Sequence, residues 1–257
     1  MNLARLKLVT FDVTDTLLQF RNNVGKQYSE IGALHGVKCP KQALAQNFKT
    51  HWYLLKKEHP NFGQAGIGWE KWWKLLVYRT FKDVDLNADD AKLEIISSKL
   101  IDMYKSSQCW QQCYGALGLL SYLRNRGTTL GVLSNFDERL PVLLENTKLR
   151  HYFRFVITSY EAGFEKPDER IFNEALQQAK IPNLKPEECL HIGDTAALDY
   201  LGATRAGWHS ALIHEDVKLI TNKYSNIHPD HIYRTLYDLH KYFIDSECKK
   251  EYKIEKS

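Results

Sequence analysis

The spacing of apolar and polar positions changes period twice along this chain. Leu8 to Asp12 is a short run, apolar or β-branched until it ends on a carboxylate, the pattern of a strand buried on both faces. Asp12, Val13, Thr14, Asp15 and Thr16 then make a polar knot before Leu17 and Leu18. The period next becomes helical, predicting helices over 24–34, 41–57, 69–81 and 89–103, with His59-Pro60-Asn61-Phe62-Gly63 as a loop between the second and third. No strand is predicted between Phe20 and Cys113. From Gly115 onward short apolar runs alternate with helical ones: helix 117–126, strand 129–133, helix 140–147, strand 153–158, helix 169–179, strand 189–192, helix 199–206, strand 209–213 and a closing helix 233–243.

Strands separated by crossovers of more than ten residues predict a parallel sheet covered on both faces. The expected fold class is therefore α/β: a doubly wound, Rossmann-like core over 1–18 and 114–257, interrupted by an all-helical insert over 19–113. The two connections of that insert lie side by side, so it is expected to form a mobile cap over the sheet edge that carries Asp12.

Composition narrows the class of protein. The chain has 257 residues, 44% hydrophobic and 26% charged, ordinary for a folded soluble protein. A net charge of +4 with lysines gathered at the C-terminus (Lys249, Lys250, Lys253, Lys256) reads as a solvated tail, not a nucleic-acid site. No apolar run reaches membrane-spanning length. Five scattered cysteines and a first strand that begins directly after the N-terminus suggest free thiols in a reducing compartment, with a cytoplasmic location expected. Cys109 and Cys113 lack the second ligand pair of a zinc site.

Four strand ends carry polar groups. These are Asp12, Ser134 with Asn135 beside it, Lys166 after a strand and turn, and Gly193-Asp194. In a doubly wound sheet the C-terminal strand ends share one edge, where ligands bind. Asp12 is placed to act as a nucleophile and as a ligand for a hard cation. Asp194 suits the same cation, Ser134 a phosphate oxygen, and Lys166 the charge that develops in phosphoryl transfer. Taken singly, each has a plain structural reading: Asp12 as a turn cap, Ser134 as a strand-end residue, Lys166 as a solvated lysine and Asp199 as a helix cap. Asn135 suits either the loop backbone or the ligand. Trp69, Trp72 and Trp73 at helical spacing read as core, and His59, His191 and His209 show no ligand-like spacing.

FDVTDTLL at 11–18, VLSN at 132–135, EKPD at 165–168 and GDTAALD at 193–199 together resemble, in order and spacing, the four motifs of the haloacid dehalogenase superfamily. The helical insert resembles that superfamily's cap. SNFDERL at 134–140, GFEKPDERIF at 163–172 and the Trp72-Trp73 pair resemble one subgroup shared by insects and vertebrates. The resemblance implies a Mg²⁺-dependent hydrolase of small phosphorylated metabolites, acting through an aspartyl-phosphate on Asp12. It implies Lys166 as the second catalytic residue, Thr14, Ser134, Asn135 and Lys166 around the phosphate, and Asp12, Thr14, Asp194 and Asp199 around the metal. Neither nucleic acid nor a membrane is an expected partner.

One position departs from the pattern. Phosphatases of the superfamily carry an acid two residues after the nucleophile; this chain has Thr14. A threonine hydroxyl exchanges no proton near pH 7, so acid–base help worth roughly a hundredfold to ten-thousandfold is missing. A slow phosphatase follows, with a catalytically vestigial binding protein as the alternative. Carbon–halogen hydrolysis is the weaker enzymatic rival, because Gly193-Asp194 is retained. Asp15, where a small residue is usual, is a displaced acid.

Overall fold

β1 (Leu8–Phe11) runs through the middle of a six-stranded sheet and is wholly buried, as its unbroken apolar run requires. The structure, a computed structural model, describes residues 5–254, and side chains as far as Cys248. Of the C-terminal lysines expected in a solvated tail, Lys256 and the side chains of Lys249, Lys250 and Lys253 fall outside that description. No helix among the described residues is long and apolar enough to cross a membrane.

The chain continues through β2 (Leu18–Phe20), α1 (Val24–Leu34), α2 (Lys41–Glu58), the single turn α3 (Pro60–Gly63), α4 (Trp69–Lys82), α5 (Asp90–Tyr104) and β3 (Trp110–Gln112). The second half alternates α6 (Ala116–Asn125), β4 (Thr129–Ser134), α7 (Leu140–Asn146), β5 (Phe155–Thr158), α8 (Ser159–Ala162), α9 (Glu169–Gln178), β6 (Cys189–Gly193), α10 (Leu201–Arg205), β7 (His209–Ile213), α11 (Val217–Lys223), β8 (Ile232–Tyr233) and α12 (Leu236–Ile254). The large sheet has the order β5-β4-β1-β6-β7-β8, with every pairing parallel. The chain leaves β1 to one side for β4 and later returns to the other for β6. β1 therefore ends at the topological switch point, where such sheets open a crevice.

Alternation along β1 feeds two cores. Val9 and Phe11 join Val132, Leu190 and Ile192 on one face, and Leu8 joins Leu133, Ile171 and Phe172 on the other. Each fully buried side chain of this kind contributes roughly 1.5–3 kcal/mol. Between α1 and α5 a separate core gathers Tyr28, Leu44, Phe81, Leu93 and Ile96.

Four expectations need correction. The segment from Phe20 to Cys113 is not free of strand: β2 and β3 pair antiparallel, Leu18 opposite Gln112 and Phe20 opposite Trp110. Strands of three residues carry too little alternation to register in a sequence. The predicted 59–63 loop is a turn in which Asn61 (φ 48°) and Phe62 (φ 56°) are both left-handed. Tyr233 ends an edge strand, and the closing helix starts at Leu236. The predicted helix at 199–206 begins earlier, as a π-helical turn over Ala196–Tyr200 that runs into α10. Such turns concentrate at functional sites, and Asp199 lies in this one.

Candidate active site

Asp12 continues β1 by one residue, its N–H donating to the Ile192 carbonyl at 2.9 Å, so its side chain leaves the sheet at the switch point. Lys166, 2% exposed, reaches it from the loop before α9. Its ammonium donates to Asp12 Oδ1 at 2.7 Å, Asp199 Oδ1 at 2.6 Å and the Leu133 carbonyl at 2.9 Å. An ammonium has three donors, and all three are used. Lys166 therefore bridges the two carboxylates, and what it has left to offer a ligand is its charge.

Asp199 is similarly engaged. Oδ1 accepts from Lys166 and from His191 Nε2 (3.0 Å), and Oδ2 accepts from the Thr195 N–H at 2.8 Å. Gly193 makes room for it: a Cβ there would lie 2.2 Å from Asp199 Cγ. Besides the Thr195 N–H at the start of the π turn, its partners are the site lysine and a buried histidine. Asp194 differs, its carboxylate having only the Thr195 hydroxyl, at the long distance of 3.5 Å. Carboxylate oxygens of Asp12, Asp194 and Asp199 all lie within 4.8 Å of one another.

This crowding sets the charges. Burial pushes the Asp194 carboxyl up to about 8, and Asp12 and Asp199 push it the same way. Burial also raises Asp12, against the pull of Lys166. Burial would raise Asp199 too, but Lys166 and His191 outweigh it and hold Asp199 well below the usual carboxylate range. Lys166 would be depressed by burial; Asp12 and Asp199 lift it above its ordinary value. One ammonium thus faces three carboxylates, and the least compensated is Asp194. A hard cation with oxygen ligands fits that gap: Asp194 has only a distant hydroxyl as partner, and a positive charge there would relieve the crowding that raises its carboxyl.

Asn135 lines the cavity and bonds the loop backbone. Its Oδ1 accepts from the Lys166 N–H at 2.7 Å and its Nδ2 donates to the Lys166 carbonyl at 2.9 Å, clamping the lysine's own peptide. Ser134, at the end of β4, is buried, and its hydroxyl favours the charged form of Asp12. Thr14 and Asp15 line the same cavity as Asp12. Asp15 stands at φ 57°, a position suited to glycine, and partial desolvation together with Asp12 raises its carboxyl.

His191 was passed over in the sequence. It is fully buried on β6, opposite Thr10 on β1. Burial lowers its pKa, so the ring is neutral; Nε2–H donates to Asp199 and Nδ1 accepts from the Thr10 hydroxyl at 2.9 Å. The signal was present: a histidine inside an apolar strand, two residues before Gly193, must find a partner. A second omission is Asp137 with Arg139, a buried pair joined by bonds of 2.8 and 2.7 Å just after Ser134 and Asn135. Trp73 Nε1 donates to Asp137 at 2.7 Å, and Arg139 lies over the Trp73 ring, tying α4 to this loop. Of the tryptophans expected in the core, Trp72 is fully buried, whereas Trp73 also lines a cavity.

That cavity, of roughly 400 Å³, lies between the sheet edge and the helices that follow β2. Asp12, Thr14, Ser134, Lys166 and Asp194 are among its polar lining, and aromatic side chains are the largest apolar part.

A parallel sheet with a carboxylate at the switch point, a buried lysine beside it and an acidic pair opposite is the arrangement of a hydrolase of the haloacid dehalogenase type. The family model for haloacid dehalogenase-like hydrolases matches residues 6–207, and the chain belongs to that family. The subgroup expected from its motifs is also the one it resembles over most of its length. It is 49% identical over 253 residues to the Rhythmically expressed gene 2 protein of Drosophila melanogaster, covering 95% of this chain and 97% of that one. It is 40% identical over 210 residues to Haloacid dehalogenase-like hydrolase domain-containing protein 3 of Bos taurus, covering 81% and 82%. Among solved structures, the magnesium-bound HAD-hydrolase YfnB from Bacillus subtilis superposes with a TM-score of 0.68 at 22% identity, over 92% of this chain and 98% of that one, a likeness of fold.

Proposed function

We propose that this chain is a Mg²⁺-dependent phosphomonoesterase of small phosphorylated metabolites, slow because Thr14 stands where the acid is usual. The observation that carries the reading is the pairing of Asp12, held by Lys166 at the sheet edge, with the undercompensated Asp194 carboxylate. Asp12 Oδ2 attacks phosphorus, the bond from phosphorus to the ester oxygen breaks, and the leaving oxygen takes its proton from water. Water then cleaves the aspartyl phosphate, releasing phosphate and restoring the Asp12 carboxylate. Lys166 lowers the energy of charge gathering on the transferring oxygens, and the Ser134 hydroxyl is available to one of them. Asp12, Asp194 and Asp199, with Thr14 beside them, would hold a magnesium ion, which would supply charge neutralisation for the nucleophile and the phosphate. His191 and Thr10 fix Asp199, which in turn fixes Lys166.

Residues 19–113 act in this reading as the cap, with 1–18 and 114–257 as the core, supported by the cavity that both line. Dehalogenation is the weaker reading, because Asp194 suits a cation and not an apolar halide.

The test is a metal-dependent screen of phosphate esters with wild type and Asp12→Asn. Expected is Mg²⁺-dependent phosphate release by wild type and none by a folded Asp12→Asn protein. Wild-type-like turnover by Asp12→Asn refutes the covalent mechanism. Binding of Mg²⁺ and aryl phosphate with no turnover at all favours the binding-protein reading that Thr14 permits.

A further inference from the structure

The cavity beside Asp12 is larger and more aromatic than a phosphoryl group needs. Its volume, roughly 400 Å³, lies in the range of sites that enclose a whole small molecule. Phe48, Trp52, Phe62 and Trp73 pack around one another at ring separations of 5.5 to 6.1 Å and all line it. Walls of this kind favour a flat, polarisable body over a hydroxyl-rich one, because a sugar hydroxyl there finds few partners.

Besides the Tyr28 and Tyr53 hydroxyls, several polar groups outside the Asp12 cluster are already engaged. Arg139 is bound by both oxygens of Asp137, and Asn135 by the Lys166 backbone. Two cations remain. Lys49 and Lys56, on α2, line the cavity, and neither has an acidic partner among the described residues. Phe48, Trp52 and Lys56 are spaced four apart, so the aromatic wall and its cation share one helix face; Lys49 lies seven residues before Lys56, on an adjoining stripe.

We propose that the substrate of this site is an aryl phosphate monoester carrying a second anionic group, its ring held against the aromatic wall and its anion paired with Lys49 and Lys56. The inference rests on the phosphomonoesterase reading and deepens it. It agrees independently with Thr14, since a phenolic oxygen departs without the acid that an alkoxide needs.

The test separates binding from turnover. Phosphonate analogues that cannot be hydrolysed, naphthyl and carboxynaphthyl, are titrated by tryptophan fluorescence in the presence of Mg²⁺, and the matching phosphates are assayed for kcat/KM. The carboxylated phosphonate is expected to bind about three- to thirtyfold more tightly, the sum of two part-exposed ion pairs, with the advantage shrinking as salt is added. In the Lys49→Gln/Lys56→Gln protein the ratio of the two affinities falls to about one. Equal affinities in wild type, or a preference that survives the double substitution, overturn the proposal. A carboxylate preference in binding without turnover of either phosphate supports the pocket assignment and overturns the hydrolase reading instead.

Discussion

Replacing Lys166 by Met removes one charge and little volume, and the structure sets the cost. The ammonium is 2% exposed and bonds Asp12, 8% exposed, and Asp199, 1% exposed. Removing one partner of a buried ion pair leaves an uncompensated charge, at a cost of about 3–5 kcal/mol. At 2–4 °C per kcal/mol for a chain of this size, Tm falls by about 6–20 °C. The variant and wild type are compared by urea and thermal unfolding at pH 7.5 in chelator. The pH dependence is a second signature. Lys166 holds down the pKa values of Asp199, Asp12 and His191, so its loss raises all three. In wild type the depressed Asp199 pKa contributes stability that is intact above the unfolded value of about 3.9 and is lost only as pH falls below it. The folded variant takes up protons at higher pH than folded wild type does, so the stability gap narrows from pH 7.5 to 5.5. A loss under about 1 kcal/mol, or a gap that widens on acidification, refutes the reasoning.

Thr14→Asp restores a carboxyl two residues after the nucleophile and is expected to raise kcat toward alkyl phosphates by about a hundredfold while changing aryl phosphates much less. Wild type that cleaves alkyl and aryl esters equally fast assigns the proton to another group, with Asp15 on the same cavity wall as the first to replace. Asp194→Asn removes one carboxylate from three held within 4.8 Å, so the metal-free variant should melt above metal-free wild type. It should also lose the stabilisation that Mg²⁺ confers on wild type; the same Mg²⁺-induced shift in both proteins, read by differential scanning calorimetry, places the ion elsewhere.

Much of the frame was legible in the residue pattern, because burial on two faces and amphipathic helical spacing are local properties. β1 ending at Asp12, β4 at Ser134 and β6 at Gly193 could be read from short apolar runs closing on polar groups, and a parallel sheet brings such ends to one edge whatever lies between them. The three-residue pair β2 and β3 was not legible, since it exists only through cross-chain hydrogen bonds. Side-chain partnership was not legible either. Thr10 meets His191 because β1 and β6 share a register, and Asp199 reaches both His191 and Lys166 because a π turn redirects it. Nothing local to Asn135 showed that the Lys166 peptide would meet both ends of its amide. Neighbours on one helix point about 100° apart, which sends Trp72 into the core and leaves Trp73 on the cavity wall. The sequence by itself determined which chemical groups stand at the sheet edge; the tertiary structure decided which of them are already bonded and which remain free to meet a ligand, because a hydrogen bond depends on distances that no local pattern carries.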